Sequence, residues 1–249
     1  MIKAAIAGLA ASDADKLCYA LDKLPFSIAV KERICAKKNR RDVAASALAY
    51  LLLYKLLRDA EHIGPGELLP ELVQDGKKPS FKCENKESPL PVFNISHSGS
   101  ICAVIISDEG EVGIDVQDCP ENRATLGRAL SRFTRGREQT LDSLLSGAEC
   151  AKNFLEKAFF NLSICGEDPS EWLSPVSGEL YGIEETKDRE LTRWTMLEAY
   201  LKALGCGFSG KAATEDPPFR DAYDSLSFAI NYKNTEYSVS AVRIKNKKR

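Results

Sequence analysis

The chain has 249 residues, enough for one large domain or for two lobes of about 110 to 130 residues, and we favour two similar lobes. It carries 34 Lys and Arg residues against 36 Asp and Glu residues, for a net charge of -2. That balance lacks the overall basic field of non-specific nucleic-acid binders. The longest apolar run, residues 43–54, is shorter than the roughly 18 residues of a membrane span. Nucleic acid and membrane are therefore not expected as partners.

The cysteine pattern bears on the redox compartment, and the N-terminal segment bears on the presence of a signal peptide. The eight cysteines form no C-x-x-C pair, and Cys102 lies inside an apolar strand pattern, as a small hydrophobic residue would. We therefore expect reduced thiols and a cytoplasmic protein. The N-terminal MIKAAIAGLAAS is rich in Ala and Gly and is followed at once by helix signals. This favours a first strand over a signal peptide.

The first quarter of the chain is predicted to be helical after that strand. Leucines at helical spacing predict one helix that ends at Pro25, and a second helical pattern runs from Ser27 to about Ala60. The cationic stretch KKNRRD at 37–42 leads into a long apolar helix, which should be a core element. Such a cluster is more often a solvated helix end than a phosphate clamp, and both interpretations stay open for it. A Gly-Lys-Lys-Pro turn at 76–79 is either an ordinary exposed turn or a place where two lysines face an anion.

The most informative stretch is 93–117, FNISHSGSICAVIISDEGEVGIDVQ, which predicts three strands. In VGIDVQ the period of two sends Asp115 and Gln117 to the face opposite the apolar residues, so Asp115 is expected to leave the core side. The first strand, FNIS, ends in Ser-His-Ser-Gly at 96–99. There we expect small residues with free backbone N–H groups and an outward His97, an arrangement suited to an anion. This combination predicts a reaction site.

The second half contains one clear helix and a terminal hairpin. Residues 140–165 have helical periodicity, whereas EDPSEWLSPVSGELYG at 167–182 is typical of a loop or an insertion. The pattern from Glu184 to Gly205 predicts a helix with an apolar leucine stripe and a second stripe of Trp194, Glu198 and Lys202. A surface Glu-Lys pair is the ordinary interpretation of that spacing. The segment SLSFAINYKNTEYSVSAVRI predicts a hairpin.

Four pieces in this order, FNISHS, GIDVQ, RFTRGRE and WTMLEAYLK, resemble the Sfp-type phosphopantetheinyl transferases. The resemblance covers residues 1–138 and 191–245. It implies an α+β fold of two pseudo-symmetric lobes, 1–110 and 111–249, each with an antiparallel sheet packed on helices, and an insertion at about 139–190. It also implies Mg²⁺-dependent transfer of the phosphopantetheine arm of coenzyme A to a serine of an apo acyl or peptidyl carrier protein. A monomer is expected.

The resemblance assigns roles by position. Asp115 and Glu198 match acidic metal ligands, and Gln117 falls where a third acidic ligand is common. Lys202 matches the lysine near the diphosphate, and Glu138 matches a glutamate near the reacting groups. Glu198 is expected to be a catalytic residue as well as a metal ligand. The expected cofactor-binding residues come from the helix start, the Gly-Lys-Lys-Pro turn and the Ser-His-Ser segment: Lys38, Arg41, Lys78, Ser96 and His97. Arg128, Arg132 and Arg135, spaced along one helical face, are a solvated face or a carrier-binding surface.

The sequence departs from the family's pattern at several positions, and two other functions remain open. Leu197 and Cys206 stand where basic residues are usual, and no aromatic residue follows Ser-His-Ser. One alternative is a module that binds carrier protein or coenzyme A without transfer. The other is a different Mg²⁺-dependent enzyme that acts on a nucleotide diphosphate. Binding without turnover would indicate the first, and competition by simple nucleotides would indicate the second.

Overall fold

The structure, a computed structural model, describes residues 1–73, 78–82, 89–119, 126–128, 130–131, 142, 145, 154–165, 168–184, 188–205 and 223–245. Within these residues the helices are α1 (Ala11–Tyr19), α2 (Ile28–Cys35), α3 (Arg40–Asp59) and α4 (Arg189–Ala203). The strands are β1 (Ile2–Gly8), β2 (Leu72–Val73), β3 (Ser80–Phe81), β4 (Val92–Ser98), β5 (Ile101–Ser107), β6 (Val112–Asp118), β7 (Glu156–Leu162), β8 (Leu173–Val176), β9 (Tyr223–Tyr232) and β10 (Thr235–Ile244).

The strands form two main sheets that face each other. One has the order β4-β5-β1-β7-β8 and is antiparallel except for the parallel pair β1 and β7, and the other has the order β6-β10-β9 and is antiparallel. A core cluster between them combines Ile105 of β5, Ile114 of β6 and Val239 of β10. Strands β2 and β3 form a separate short ribbon.

Helices cover the two outer faces. Helices α1 to α3 pack on the larger sheet in a cluster that includes Leu48, Val104 and Ile106, and α4 packs on the smaller sheet beside Val242. Strand β5 is buried along its whole length because α3 covers one face and the second sheet covers the other. This explains its continuous apolar sequence. The layers thus run helix, sheet, sheet, helix.

Most of the predicted elements are confirmed. The strands at 93–117, the long core helix and the terminal hairpin occur as predicted, and the hairpin turns at Lys233 and Asn234, whose φ angles are 50° and 65°. The predicted helix 27–60 is two helices, because Asn39 caps the N-terminus of α3 through a bond from the Asp42 N–H. The helix predicted to open at Glu184 begins at Arg189, after the cap Asp188.

One secondary-structure prediction is wrong. Residues 156–162, predicted to be helical, form β7, which pairs in parallel with β1, and β8 follows at 173–176 inside the predicted loop. Phe159 and Phe160 point to opposite faces of the sheet and are both buried, so a strand between two apolar layers produced the apparent helical spacing. The described fold is α+β. The pseudo-symmetry of two lobes and the boundary at residue 110 stay predictions.

Two further expectations, reduced cysteines and no membrane partner, can be compared with the described residues. Among the described residues, Cys18, Cys35, Cys102, Cys119 and Cys165 form no disulfide bond. In the described part of the chain no helix is both long and apolar enough to span a membrane.

Candidate active site

The candidate site lies where the two sheets meet edge to edge. Strand β4 is an edge of the larger sheet and β6 is an edge of the smaller one. Polar side chains at alternate positions of β4 accept hydrogen bonds from alternate backbone N–H groups of β6: Asn94 from Ile114 at 3.1 Å, Ser96 from Val116 at 3.3 Å and Ser98 from Asp118 at 3.2 Å. The matching period of two on both strands fixes their register. Asp115 is thereby held opposite Ser96.

Asp115 does not face solvent, which corrects the prediction that it leaves the core side. Its relative exposure is 2%. The period of two does place it opposite Ile114, but that second face is covered by α4. The covering is close, since a Cβ at Gly113 would lie 1.9 Å from the carbonyl oxygen of Ala199. The candidate site is therefore a partly buried group of side chains between β6 and α4.

The Lys202 ammonium neutralises Asp115. Its Nζ donates to Asp115 Oδ1 at 2.6 Å, to Ser96 Oγ at 2.9 Å and to the Ile114 carbonyl at 3.3 Å, which uses all of its N–H donors. Ser96 is equally committed, because it donates to Asp115 Oδ1 at 2.9 Å and accepts from Lys202 and from the Val116 N–H. A cofactor contact by Ser96 would require one of these bonds to be exchanged.

Glu198 brings a second carboxyl group to Asp115. Its pKa is raised to about 8, first by burial and then by the negative charge of Asp115, while the Lys202 ammonium opposes the shift. When Glu198 is ionised, Oδ2 of Asp115 is buried without a hydrogen-bond donor among the described residues. Only when Glu198 loses its proton do two carboxylates face one ammonium and leave one unbalanced negative charge. Glu198 and Lys202 are thus half-buried beside Asp115 and do not form an exposed surface pair.

Gln117 lies on β6 on the same face as Asp115, as predicted, and is half-buried. Its Nε2 donates to Asp118 Oδ1 at 2.8 Å, which also accepts from Ser98 Oγ at 2.6 Å. This leaves the Gln117 carbonyl oxygen as the free end of the amide. In the described residues no cluster of three or more His, Cys, Asp or Glu side chains suits a metal ion, so the protein offers a carboxylate pair and an amide.

His97 is on the opposite side of β4 from Ser96 and is exposed. Partial removal of its imidazole from water lowers its pKa, the Asp42 carboxylate opposes this shift, and the ammonium groups of Lys202 and Lys37 add to it. Arg41, at the start of α3, donates to Ser100 Oγ at 3.1 Å. The exposed end of β4 thus lies near the positively charged side chains of Arg41, Lys37 and Lys202.

The remaining predicted residues are only partly tested. Lys78 donates to Glu111 Oε2 at 2.7 Å and to the Val112 carbonyl at 3.0 Å, so its ammonium contacts β6 near the candidate site. Lys38 is exposed in the turn before α3, and Arg128 is exposed in a helical segment. Residues 96–98, whose backbone N–H groups were expected to be free, lie in β4 and pair with Ala103, Cys102 and Ile101 of β5. Glu138, Arg132, Arg135 and Cys206 lie outside the described residues.

Sequence reasoning selected Ser96 and missed the other small polar residues that hold the site together. They share a spacing of two along strands, in Asn94-x-Ser96-x-Ser98 of β4 and in the Ser-x-Ser pairs 225–227 and 238–240 of β9 and β10. Several of them are buried. Alternating small polar residues inside otherwise apolar strands were the available signal, because buried hydroxyl and amide groups need hydrogen-bond partners.

Comparison with known proteins shows which proteins the chain is similar to. No family model matches the chain. A Synechocystis protein named "Putative 4'-phosphopantetheinyl transferase slr0495" is 30% identical over 146 residues, which cover 58% of this chain and 44% of that protein. The 4'-phosphopantetheinyl transferase AcpT of Escherichia coli O157:H7 is 48% identical over 50 residues, 20% of this chain and 24% of its own length. The chain thus spans less than half of each of these relatives, and over those parts it is similar to proteins named 4'-phosphopantetheinyl transferases.

Proposed function

We propose that this protein is an Sfp-type 4'-phosphopantetheinyl transferase, which moves the phosphopantetheine arm of coenzyme A to a serine of an apo carrier protein. The observation that carries the proposal is the convergence of Asp115, Glu198 and Lys202 beneath α4, beside the exposed His97. A buried carboxylate pair next to exposed cations suits a diphosphate with its metal ion. The partial similarity to named transferases supports the same activity.

The donor set fits Mg²⁺. That ion prefers a few carboxylates together with phosphate oxygens and water. Asp115 Oδ2 is buried without a donor when Glu198 is ionised, and burial, together with the neighbouring Asp115 charge, raises the pKa of Glu198. Asp115 and Glu198 would hold the ion, with Gln117 as an auxiliary ligand. When bound, Mg²⁺ would neutralise the charge that develops on the diphosphate.

In the proposed reaction the carrier serine oxygen forms a bond to the phosphorus that bears the pantetheine arm. The diphosphate P–O bond breaks, and adenosine 3',5'-bisphosphate leaves with that oxygen. The serine proton passes to a carboxylate or to a bound water, and Glu138 is the proposed acceptor by its position in RFTRGRE. No nucleophile from this chain is needed, because the partner provides it.

The chain's cations would bind and orient the anionic substrate. His97, Arg41, Lys38 and Lys78 would contact phosphate groups of coenzyme A. Lys202 would contact the diphosphate only after it releases one of its present acceptors, Asp115, Ser96 or the Ile114 carbonyl. We therefore expect the Lys202 side chain to change its hydrogen bonds when substrate binds.

The partner is proposed to be an apo acyl or peptidyl carrier protein. Such carriers are usually acidic around the modified serine, and this chain has a net charge of -2, so local rather than global charge must attract them. Arg128, Arg132 and Arg135 are the proposed contact residues. A cytoplasmic monomer completes the proposal.

Intact-protein mass spectrometry tests the proposal most directly. A panel of apo carriers, incubated with the protein, coenzyme A and Mg²⁺, should show the mass gain of one phosphopantetheine arm on at least one carrier, with release of adenosine 3',5'-bisphosphate. Asp115→Asn, which keeps the side-chain shape, is the matched control and should give no gain. If coenzyme A binds but every carrier stays unmodified, the protein is a binding module and not a transferase.

A further inference from the structure

A cluster of hydroxyl groups lies between α4 and the smaller sheet, beside the carboxylates. Thr195 Oγ1 is 2.7 Å from Ser240 Oγ and 3.0 Å from Ser238 Oγ, and Ser240 Oγ is 2.7 Å from Ser227 Oγ. Thr195, Ser238 and Ser240 are 0%, 2% and 0% exposed. The reaction proposed above assigns no role to these hydroxyls.

The hydrogen-bond directions in this cluster follow from its one obligatory acceptor. Thr195 Oγ1 is 3.2 Å from the Thr192 carbonyl, which can only accept, so Thr195 donates its single hydrogen there. Ser238 and Ser240 must then donate to the two lone pairs of Thr195 Oγ1. Ser227 in turn donates to Ser240. In the described contacts, these serines bond to α4 through the Thr195 side chain.

The cluster lies beside the carboxylates in the sheet register. Ser240 is the cross-strand partner of Asp115, and Ser238 is the partner of Gln117. Such partners have Cβ atoms roughly 5 Å apart on one face of the sheet. On the helix, Thr195 precedes Glu198 by three residues, about one turn. The same helix turn that bonds the serines therefore also carries Glu198.

A second contact fixes the other end of this helix segment. A Cβ at Gly113 would lie 1.9 Å from the Ala199 carbonyl oxygen and 2.5 Å from the Ala203 amide nitrogen, so the α4 backbone lies directly on β6 there. Glu198 is between this backbone contact and the Thr195 hydroxyl. The distance between helix and sheet at Glu198 is set by both.

We propose that Thr195 is a positioning residue, whose hydroxyl holds α4 on Ser238 and Ser240 and thereby sets the distance between the Glu198 and Asp115 carboxyl groups. Thr195 does not touch the substrate. It acts on metal binding and transfer through Glu198. The metal and transfer measurements below rest on the proposed function, whereas the structural measurement does not.

Thr195→Val tests the proposal, because valine keeps the shape of threonine and removes both the donor and the acceptor. Mn²⁺ affinity, measured by the EPR signal of the free ion, should weaken about tenfold, as for other residues that orient metal ligands. Thr195→Ser should restore it. In the transfer assay kcat should fall, with KM for the carrier unchanged.

Thr192→Val is the matched control. It makes the same change one turn earlier on the same helix, where the hydroxyl bonds only to the Asp188 carbonyl at 2.8 Å in the described contacts. Its Mn²⁺ affinity should equal that of the wild type. A Thr195→Val protein that binds Mn²⁺ like the wild type, with only a lower melting temperature, would overturn the proposal.

Two further measurements keep the inference separate from the proposed function. If the wild type binds no Mn²⁺, the proposed metal site is wrong, and crystal structures decide the positioning role. Thr195→Val should then show α4 displaced at Glu198 and Thr195→Ser should not. Superimposable helices would refute the role.

If Thr195→Val does not fold, Ser238→Ala and Ser240→Ala each remove one donor to Thr195 and should each weaken Mn²⁺ binding.

Discussion

The two sides of β4 differ in how their charged groups are held. On one side Asp115, Ser96 and Lys202 form a buried set in which every ammonium donor and every Ser96 site is used. On the other side His97 is exposed, and the charges of Asp42, Lys202 and Lys37 act on it with no hydrogen bond in the described contacts. The adjacent β4 residues Ser96 and His97 therefore lie in different environments: Ser96 is buried and fully hydrogen-bonded, and His97 is exposed.

This difference separates two tasks of a site for a metal-bound diphosphate. Carboxylates that bind a small cation need fixed positions, and burial strengthens their electrostatic effect. Groups that bind an outer phosphate of a large substrate must stay accessible and can adjust to it. Changes on the buried side should therefore impair catalysis and stability, whereas changes on the exposed side should impair substrate affinity.

The largest expected effect follows from removing the buried charge. Asp115→Asn keeps the hydrogen bonds to Ser96 possible but replaces the proposed metal ligand with a neutral amide. Loss of the metal's contribution, several kcal/mol, should lower transfer about a thousandfold. Steady-state transfer to an apo carrier measures it. The exposed Asp108→Asn is the control, and retention of full activity by Asp115→Asn would show that the metal-site assignment is wrong.

The sequence predicted the residues of the buried side better than their environment. Four-residue spacing placed Glu198 and Lys202 on one helix face, and alternation placed Asp115 opposite the apolar residues of β6; both are confirmed. Alternation cannot say what covers the second face of a strand, so the burial of Asp115 was missed. The close contact at Gly113 that makes this possible depends on α4, which is some 80 residues away in sequence.

The larger sheet shows the same limit. Local pattern identified β4 and β5, which are joined by a tight turn, but not the pairing of β7 with β1, about 150 residues apart. A parallel pair needs a long crossover, and no local turn signal marks it. Lys37 shows the limit on the exposed side, because its charge reaches His97 whereas sequence reasoning selected Lys38.

The second prediction concerns stability and sharpens the buried side of the comparison. The pKa of Glu198 is raised to about 8 in the folded protein, above the ordinary value of 4.5. The folded state therefore keeps a proton that the unfolded state releases, and stability falls as pH rises from about 4.5 through 8. In urea unfolding with EDTA, the wild type should lose on the order of 2 kcal/mol more than Glu198→Gln over this range. Equal pH dependence in both proteins would contradict the raised pKa.

Mg²⁺ should reverse this loss of stability in the wild type. The ion binds the ionised carboxylates of the folded state, so it should restore stability at pH 8 in proportion to the logarithm of its concentration. Glu198→Gln, with one carboxylate fewer, should respond less. A wild type whose unfolding midpoint at pH 8 does not respond to Mg²⁺ would count against metal binding at Asp115 and Glu198.

The third prediction tests the exposed side. His97→Ala should raise KM for coenzyme A about tenfold, the value of one charge-assisted hydrogen bond, and should leave kcat nearly unchanged. The lowered pKa of His97 means that the free imidazole is charged only below its ordinary range, so the effect should grow as pH falls from 8 to 6. His62→Ala, at the other histidine, is the control. A loss confined to kcat would place His97 with the buried groups.

The smallest effect is expected at Gln117, which lies between the two environments. Its amide nitrogen is bound to Asp118, so its carbonyl oxygen is the end that can face the metal ion or a metal-bound water. Gln117→Ala should reduce transfer only a few-fold, since an amide oxygen is a weaker ligand than a carboxylate. Gln117→Glu is the sharper variant: without metal, repulsion from Asp118 should lower its melting temperature, and Mn²⁺ should raise that temperature more than in the wild type. If Mn²⁺ affinity and the preference between Mg²⁺ and Mn²⁺ both stay at wild-type values in Gln117→Glu, then Gln117 does not face the ion and belongs only to the hydrogen-bonded seam between β4 and β6.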